Sequence, residues 1–153
     1  MPKSHPSLIH ALGVAIDRLK SGTRYEWGHV GHCNCGHLVQ AAFEHSPDAI
    51  YHSFGEGLGE WSEHGNLRCE MTGLPVDDIL ENLRRIGFER QDVHHLENLS
   101  DPKVLSYLPE GKRHLQRNRR EDVIHYLTAM RALLNQSSPG VVASLCLVPP
   151  LSN

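Results

Sequence analysis

The chain has 153 residues and a mass of 17.2 kDa, enough for one ordinary domain with a real hydrophobic core. A net charge of −3, with 22% charged and 39% hydrophobic residues, excludes a disordered or fibrous chain. No apolar run approaches the roughly 18 residues of a membrane span, and residues 1–13 lack the pattern of a secretory signal. The expectation is a cytoplasmic protein with no membrane partner.

The pattern predicts a mainly α, compact helical single domain over residues 1–136, with at most one or two short strands. Residues 137–153 are expected to form an apolar tail, docked or frayed. Leu8, Leu12, Ala15, Ile16 and Leu19 recur at helical spacing, predicting a helix over 7–20 that Ser21-Gly22 ends. A short apolar helix follows over 35–45, and Ser46-Pro47-Asp48 starts another towards Phe54. Gly55–Gly59 reads as loop, and Asn66–Met71 as a short strand.

Leu74-Pro75-Val76-Asp77-Asp78 opens a helix whose apolar face is Val76, Ile79, Leu80, Leu83 and Ile86. Gly87 is placed to cap it, with Phe88 folding back. Further helices are expected over 90–98, from Asp101-Pro102 to Leu108, and over 119–135 with Asn118 as cap. Val141–Val148 is apolar and β-branched, a strand or a docked tail.

Charge is segregated. Residues 44–81 carry nine acids against Arg68 alone, whereas residues 82–120 carry nine Lys or Arg against five acids. These blocks can pair within one chain or between two, so a homodimer and an internal charge pair are both open. The basic run 111–120 lacks interleaved aromatics and meets Glu121 and Asp122 at once, which argues against nucleic acid and for a solvated turn.

Chemistry concentrates in Tyr25-Glu26-Trp27-Gly28-His29-Val30-Gly31-His32-Cys33-Asn34-Cys35-Gly36-His37-Leu38-Val39-Gln40. The 12 histidines of the chain are roughly three times ordinary usage, and three lie here beside two of the four cysteines. Without an export signal, Cys33, Cys35, Cys69 and Cys146 point to packing, metal ligation or reactive thiols rather than disulfides. A helix begins where the segment ends, and a helix N-terminus favours a thiolate through its partial positive charge and free N–H groups.

Tyr25-x-Trp27-Gly28 followed by Cys35 and Leu38-Val39-Gln40 resembles the nucleophile segment of NlpC-type cysteine peptidases, Y-x-W-G-G then D-C-S-G-L-V-Q. The resemblance covers residues 25–40 and implies Cys35 as nucleophile, with an α+β papain-like fold as the alternative architecture. Asn34 stands where that pattern has Asp, Gly36-His37 where it has Ser-Gly, and His29 where it has the second Gly. Over its whole length the chain resembles a small family of uncharacterised bacterial proteins, through W-G-H-x-G-x-C-N-C-G, Trp61-Ser62-Glu63, Cys69 and Leu96–Asp101. That likeness implies a shared fold and no mechanism.

The same residues suit zinc, which takes thiolate and imidazole in sets of four. Cys33, Cys35 and Cys69 are candidate ligands, with His29, His32, His37 or His64 as the fourth. Glu60 and His64 share a helical face at i,i+4, and His64 is the first choice as general base or ligand reaching the Cys33–Cys35 turn. Cys69 is expected beside that turn, with Trp27 and Trp61 as walls. Cys69 as an inert core residue is the plainer alternative, and Cys146, His94-His95, His114 and His125 read as structural.

Three functions follow from different classes. The first is a cysteine-dependent hydrolase or transferase using Cys35 (or Cys33) with a histidine base on a small molecule or peptide. The second is a zinc-binding protein using Cys33, Cys35, Cys69 and His. The third is a non-catalytic interaction protein in which the turn is rigid architecture.

Overall fold

The computed structural model describes residues 1–27, 32–43 and 76–137, and these residues are helical with no strand among them. The helices are α1 Pro6–Lys20, α2 Asn34–Phe43, α3 Val76–Arg85, α4 Arg90–Asn98, α5 Pro102–Tyr107 and α6 Arg120–Gln136, with a 3-10 turn at Glu110–Lys112 before α6. The mainly α class is therefore observed. The elements expected at 46–54, 55–59, 66–71 and 141–148 lie outside the described residues, as do Trp61 and Cys146. Among the described residues, no helix is long and apolar enough to cross a membrane.

Helix α1 is the centre of the packing. His5 caps it, its Nδ1 accepting from the Ser7 N–H at 3.2 Å, and Pro6 presets the first turn. Leu8, Ala11, Leu12, Ala15, Ile16 and Leu19 are all buried, and they meet α2 on one side and α6 on the other. From α2 come Leu38, Val39 and Ala41, and from α6 Val123, Tyr126, Leu127, Met130 and Leu134. Each buried side chain of the Leu or Met class contributes about 1.5–3 kcal/mol by leaving water. A Cβ on Gly13 would lie 3.0 Å from Arg131 Cζ. Its absence lets that guanidinium cross α1, and Nε donates to the Ile9 carbonyl at 3.2 Å.

Helix α3 ends as expected at Gly87. Its φ is +106°, the Phe88 N–H donates to the Leu83 carbonyl at 3.0 Å, and the Gly87 N–H donates to Arg84. A Cβ there would also meet the Lys3 carbonyl oxygen at 2.8 Å, so the glycine serves both the turn and the approach of the N-terminal segment. The cap of α6 differs from expectation. Arg119, not Asn118, holds the N-cap place, without a side-chain cap bond. The acids Glu121 and Asp122 supply negative charge to that first turn instead, and Asp122 Oδ2 accepts from the Gln116 N–H at 2.9 Å.

The starts of α4 and α5 are tied together by their caps. Asp92 Oδ2 accepts from the Glu89 N–H, and Asp101 Oδ1 accepts from the Lys103 and Val104 N–H groups. The other oxygen of each carboxylate lies 2.7 Å from the Met1 ammonium. Burial alone would raise the Asp101 carboxyl, but the hydrogen bond and attraction of that ammonium and the two N–H groups hold it below its usual range. Tyr126, fully buried, closes the cluster: its hydroxyl accepts from the Asp101 N–H at 3.1 Å and donates to the His95 carbonyl at 3.2 Å.

Tyr126→Phe keeps the ring but leaves the buried Asp101 N–H without its acceptor, while the His95 carbonyl retains the Ser100 N–H at 3.0 Å. The expected loss is about 1–3 kcal/mol, read as a lower urea midpoint with an unchanged slope.

Candidate functional site

In the segment that concentrates the chemistry, Trp27, Asn34 and Cys35 are bound to the C-terminal end of α4. Cys33 stands just before α2, and its carbonyl accepts the first helical bond, from the His37 N–H at 3.0 Å. The N–H of Cys35, in the first turn, needs an acceptor, and a cysteine at the cap is a poor one. Glu97 of α4 supplies it, with Oε1 2.8 Å from the Cys35 nitrogen. A carboxylate from a distant helix thus caps the positive end of α2.

Neighbouring contacts repeat the same polarity. Asn34, 1% exposed, donates through Nδ2 to the Leu96 carbonyl at 2.9 Å and more weakly to Glu97 at 3.5 Å. Trp27 donates through Nε1 to the Glu97 carbonyl at 3.1 Å. Above Trp27 lies Arg117, its Cζ 3.7 Å from the ring centroid, and Nη1 donates to Asn98 Oδ1 at 2.5 Å. The Tyr25 hydroxyl donates to the Arg117 carbonyl. Trp27, Asn98, Leu115, Gln116, Arg117 and Asn118 line an open groove of about 540 Å³.

His37 pins the other side of the turn. It is buried, its Nε2 lies 3.0 Å from the Arg24 carbonyl oxygen, and the Tyr25 ring stacks on it at 6.2 Å between centroids. The Glu26 N–H donates to the His32 carbonyl at 3.1 Å, so residues 26 and 32 are held together. Burial lowers the His37 imidazole below its usual 6.5, against the pull of the Arg24 carbonyl. Its Nε2 is held by the backbone at Arg24.

The two cysteines differ sharply. Cys35 is 6% exposed, and its thiol is pushed well above its usual range, first by burial, then by the charge and hydrogen bond of Glu97. Cys33 is only half-buried, and both residues are thiols. His32 is buried beside them. His29, His64 and Cys69 lie outside the described residues, so the expected approach of Cys69 and His64 to the turn does too. Among the described residues, no group of three or more His, Cys, Asp or Glu is arranged to hold a metal ion.

His94 is exposed and His95 half-buried, with His95 Nδ1 2.8 Å from Ser100 Oγ, in keeping with structural roles. Glu97, Asn34 and Arg117 were not among the sequence candidates. Glu97 carries no local signal, being one acid on a polar helix sixty residues from its partner. Arg117 belongs to the basic run, which forms the turn before α6. Compared with known proteins, the chain matches no family model, no curated protein and no solved structure.

Asn34→Asp turns a donor into an acceptor facing the Leu96 carbonyl and adds a buried charge near Glu97. The expected loss in urea denaturation is about 3 kcal/mol or more, and larger than that of Asn34→Ala. The imidazole of His37 adds a pH dependence. Below its usual 6.5 the unfolded chain binds a proton that the folded chain refuses, so stability falls as pH drops from there towards the folded value. Between pH 7.5 and 5.5 the urea midpoint of the native protein should fall more than that of His37→Gln. Equal falls would remove His37 as a source.

Proposed function

We propose that residues 27–37 form a site of thiol chemistry, the centre of a cysteine-dependent transferase or hydrolase, and that Cys33 is its reacting sulfur. One observation carries this reading. Cys33 occupies the N-cap place of α2 and is half-buried, whereas the thiol of Cys35 is sealed in the core against Glu97. A thiol at a helix N-cap faces the positive end of the dipole and the N–H groups of the first turn, which favour the thiolate. Cys35 shares that helix end, but the Glu97 carboxylate already holds its N–H and opposes a second negative charge there.

The histidine base of this reading is His64 or His29, since the His37 ring is buried with its Nε2 against the Arg24 carbonyl. Trp27, on the same loop as Cys33, is 39% exposed and walls the groove that Arg117 and Asn98 also line. A small molecule or peptide with polar groups and a flat face suits that lining. Asn34 and Cys35 tie the first turn of α2 to α4, and Trp27 is bound to the same helix end, so the sulfur of Cys33 starts from a defined place.

Alkylation tests the reading. With substoichiometric iodoacetamide at neutral pH, the folded protein should be labelled at Cys33 before Cys35, and Cys33→Ala should lose that fast phase. Labelling of Cys33 only after denaturation defeats the proposal. One tightly held zinc per chain, with thiols unreactive until chelation, would support a zinc-binding protein instead.

A further inference from the structure

We propose that Cys33 and Cys35 form a reversible dithiol–disulfide pair, in which Cys33 exchanges with a small-molecule disulfide and Glu97 accepts the proton that Cys35 releases on closing the pair. The inference rests on the reading of Cys33 as the reacting thiol and adds a resolving sulfur and a proton acceptor to it.

Three features bring these groups together. The sulfurs are two residues apart at the start of α2, one half-buried and one in the core. The Glu97 carboxylate holds the Cys35 N–H at 2.8 Å, which places it against the residue whose thiol must give up a proton, and burial together with its charge pushes that thiol up. Residues i and i+2 have Cα atoms about 5.4 Å apart in a helical turn and about 6.5–7 Å apart in extended chain, so Cys33 at the N-cap and Cys35 in the first turn are at or near the range a disulfide spans. So small a ring requires the first turn of α2 to unwind on closure. A bridge formed that way is strained and easily reduced, which is the property of exchangeable rather than structural disulfides.

The steps balance. The Cys33 thiolate attacks one sulfur of a disulfide RSSR, the S–S bond breaks, and RS⁻ leaves and takes up the Cys33 proton as RSH. Cys35 then attacks the Cys33 sulfur of the mixed disulfide, and its proton passes to Glu97. The Cys33–Cys35 bond forms, the second RS⁻ leaves, and it is protonated from Glu97. The pair loses two electrons and two protons, and RSSR becomes two thiols. Protonation weakens Glu97 as an acceptor for the Cys35 N–H, so proton transfer and loosening of the turn assist each other.

Oxidised glutathione is the probe. The full chain is incubated with it at neutral pH, acid-quenched, alkylated and digested with trypsin. Residues 25–68 form one tryptic peptide, which holds Cys33 and Cys35 but neither Cys69 nor Cys146. That peptide should become two hydrogens lighter, and reduced glutathione in excess should restore it. Cys35→Ser should stop at glutathione on Cys33. Glu97→Gln, which keeps an acceptor for the Cys35 N–H, should slow closure by about 100-fold, with glutathione accumulating on Cys33 in the meantime.

If glutathione stays on Cys33 in the native protein, or Cys33 bridges to Cys69, the pair is refuted while the reading of Cys33 stands. If Cys33 takes neither glutathione nor iodoacetamide, both fail. Closure as fast in Glu97→Gln as in the native chain removes Glu97 from the step. Should Glu97→Gln not fold, the peptide mass and the Cys35→Ser trap still decide whether the pair exists.

Discussion

The negative end of α4 abuts the positive end of α2, and one carboxylate completes the junction. Glu97 gives its Oε1 to the Cys35 N–H, while the carbonyls of Leu96 and Glu97 accept from Asn34 and Trp27. Those carbonyls are at the last turn of α4, where the helix leaves acceptors over. The chain is turned away there by Leu99, at φ 51°, a left-handed conformation that costs a non-glycine residue about 1–2 kcal/mol. Leu99 is 3% exposed, so its buried side chain offsets that strain. The residue that ends α4 thereby delivers Asp101 to the N-cap of α5 and leaves the α4 terminus open for the cysteine turn.

This junction separates two thiols that look alike in the sequence. A helix N-terminus carries roughly half a positive charge, spread over its first unsatisfied N–H groups. Once Glu97 sits on the Cys35 amide, the local need for negative charge is met by a carboxylate that is ionised far more readily than a thiol. Cys35 then gains nothing by ionising, and burial opposes it. Cys33 precedes α2 and is less deeply buried. Position on the helix alone does not set the two thiols apart; the acceptor supplied from α4 does.

Much of the helical frame is legible in the chain. Apolar spacing over 7–20 and 119–135 corresponds to α1 and α6, and Gly87 with Phe88 marks the end of α3, because period and turn chemistry are local properties. Capping is less legible when the partner is remote. Asn118 has the right chemistry for a cap, yet Asp122 and Glu121 already charge that turn and Arg119 takes the place. His5, unremarkable by composition, caps α1 through its ring nitrogen. The start of α2 and its cysteines are visible in the Gly-rich segment, but the carboxylate that governs them is not. No periodicity in α4 distinguishes Glu97 from any exposed acid.

The departure of residue 34 from the peptidase-like pattern follows from the same contact. An Asp at that position would point two oxygens at a helix end already lined by the Leu96 and Glu97 carbonyls and the Glu97 carboxylate. The amide of Asn34 instead brings a donor to the Leu96 carbonyl, in a place 1% exposed where a wrong polarity has no water to correct it. Glu97 and Asn34 are therefore one device: the acid supplies the charge that the turn of α2 requires, and the amide supplies the donor that the turn of α4 requires. Moving the charge from Glu97 to residue 34 would set a carboxylate against the negative end of α4. The acid at this helix start comes from another helix, and it fixes the first turn of α2 to the helical core.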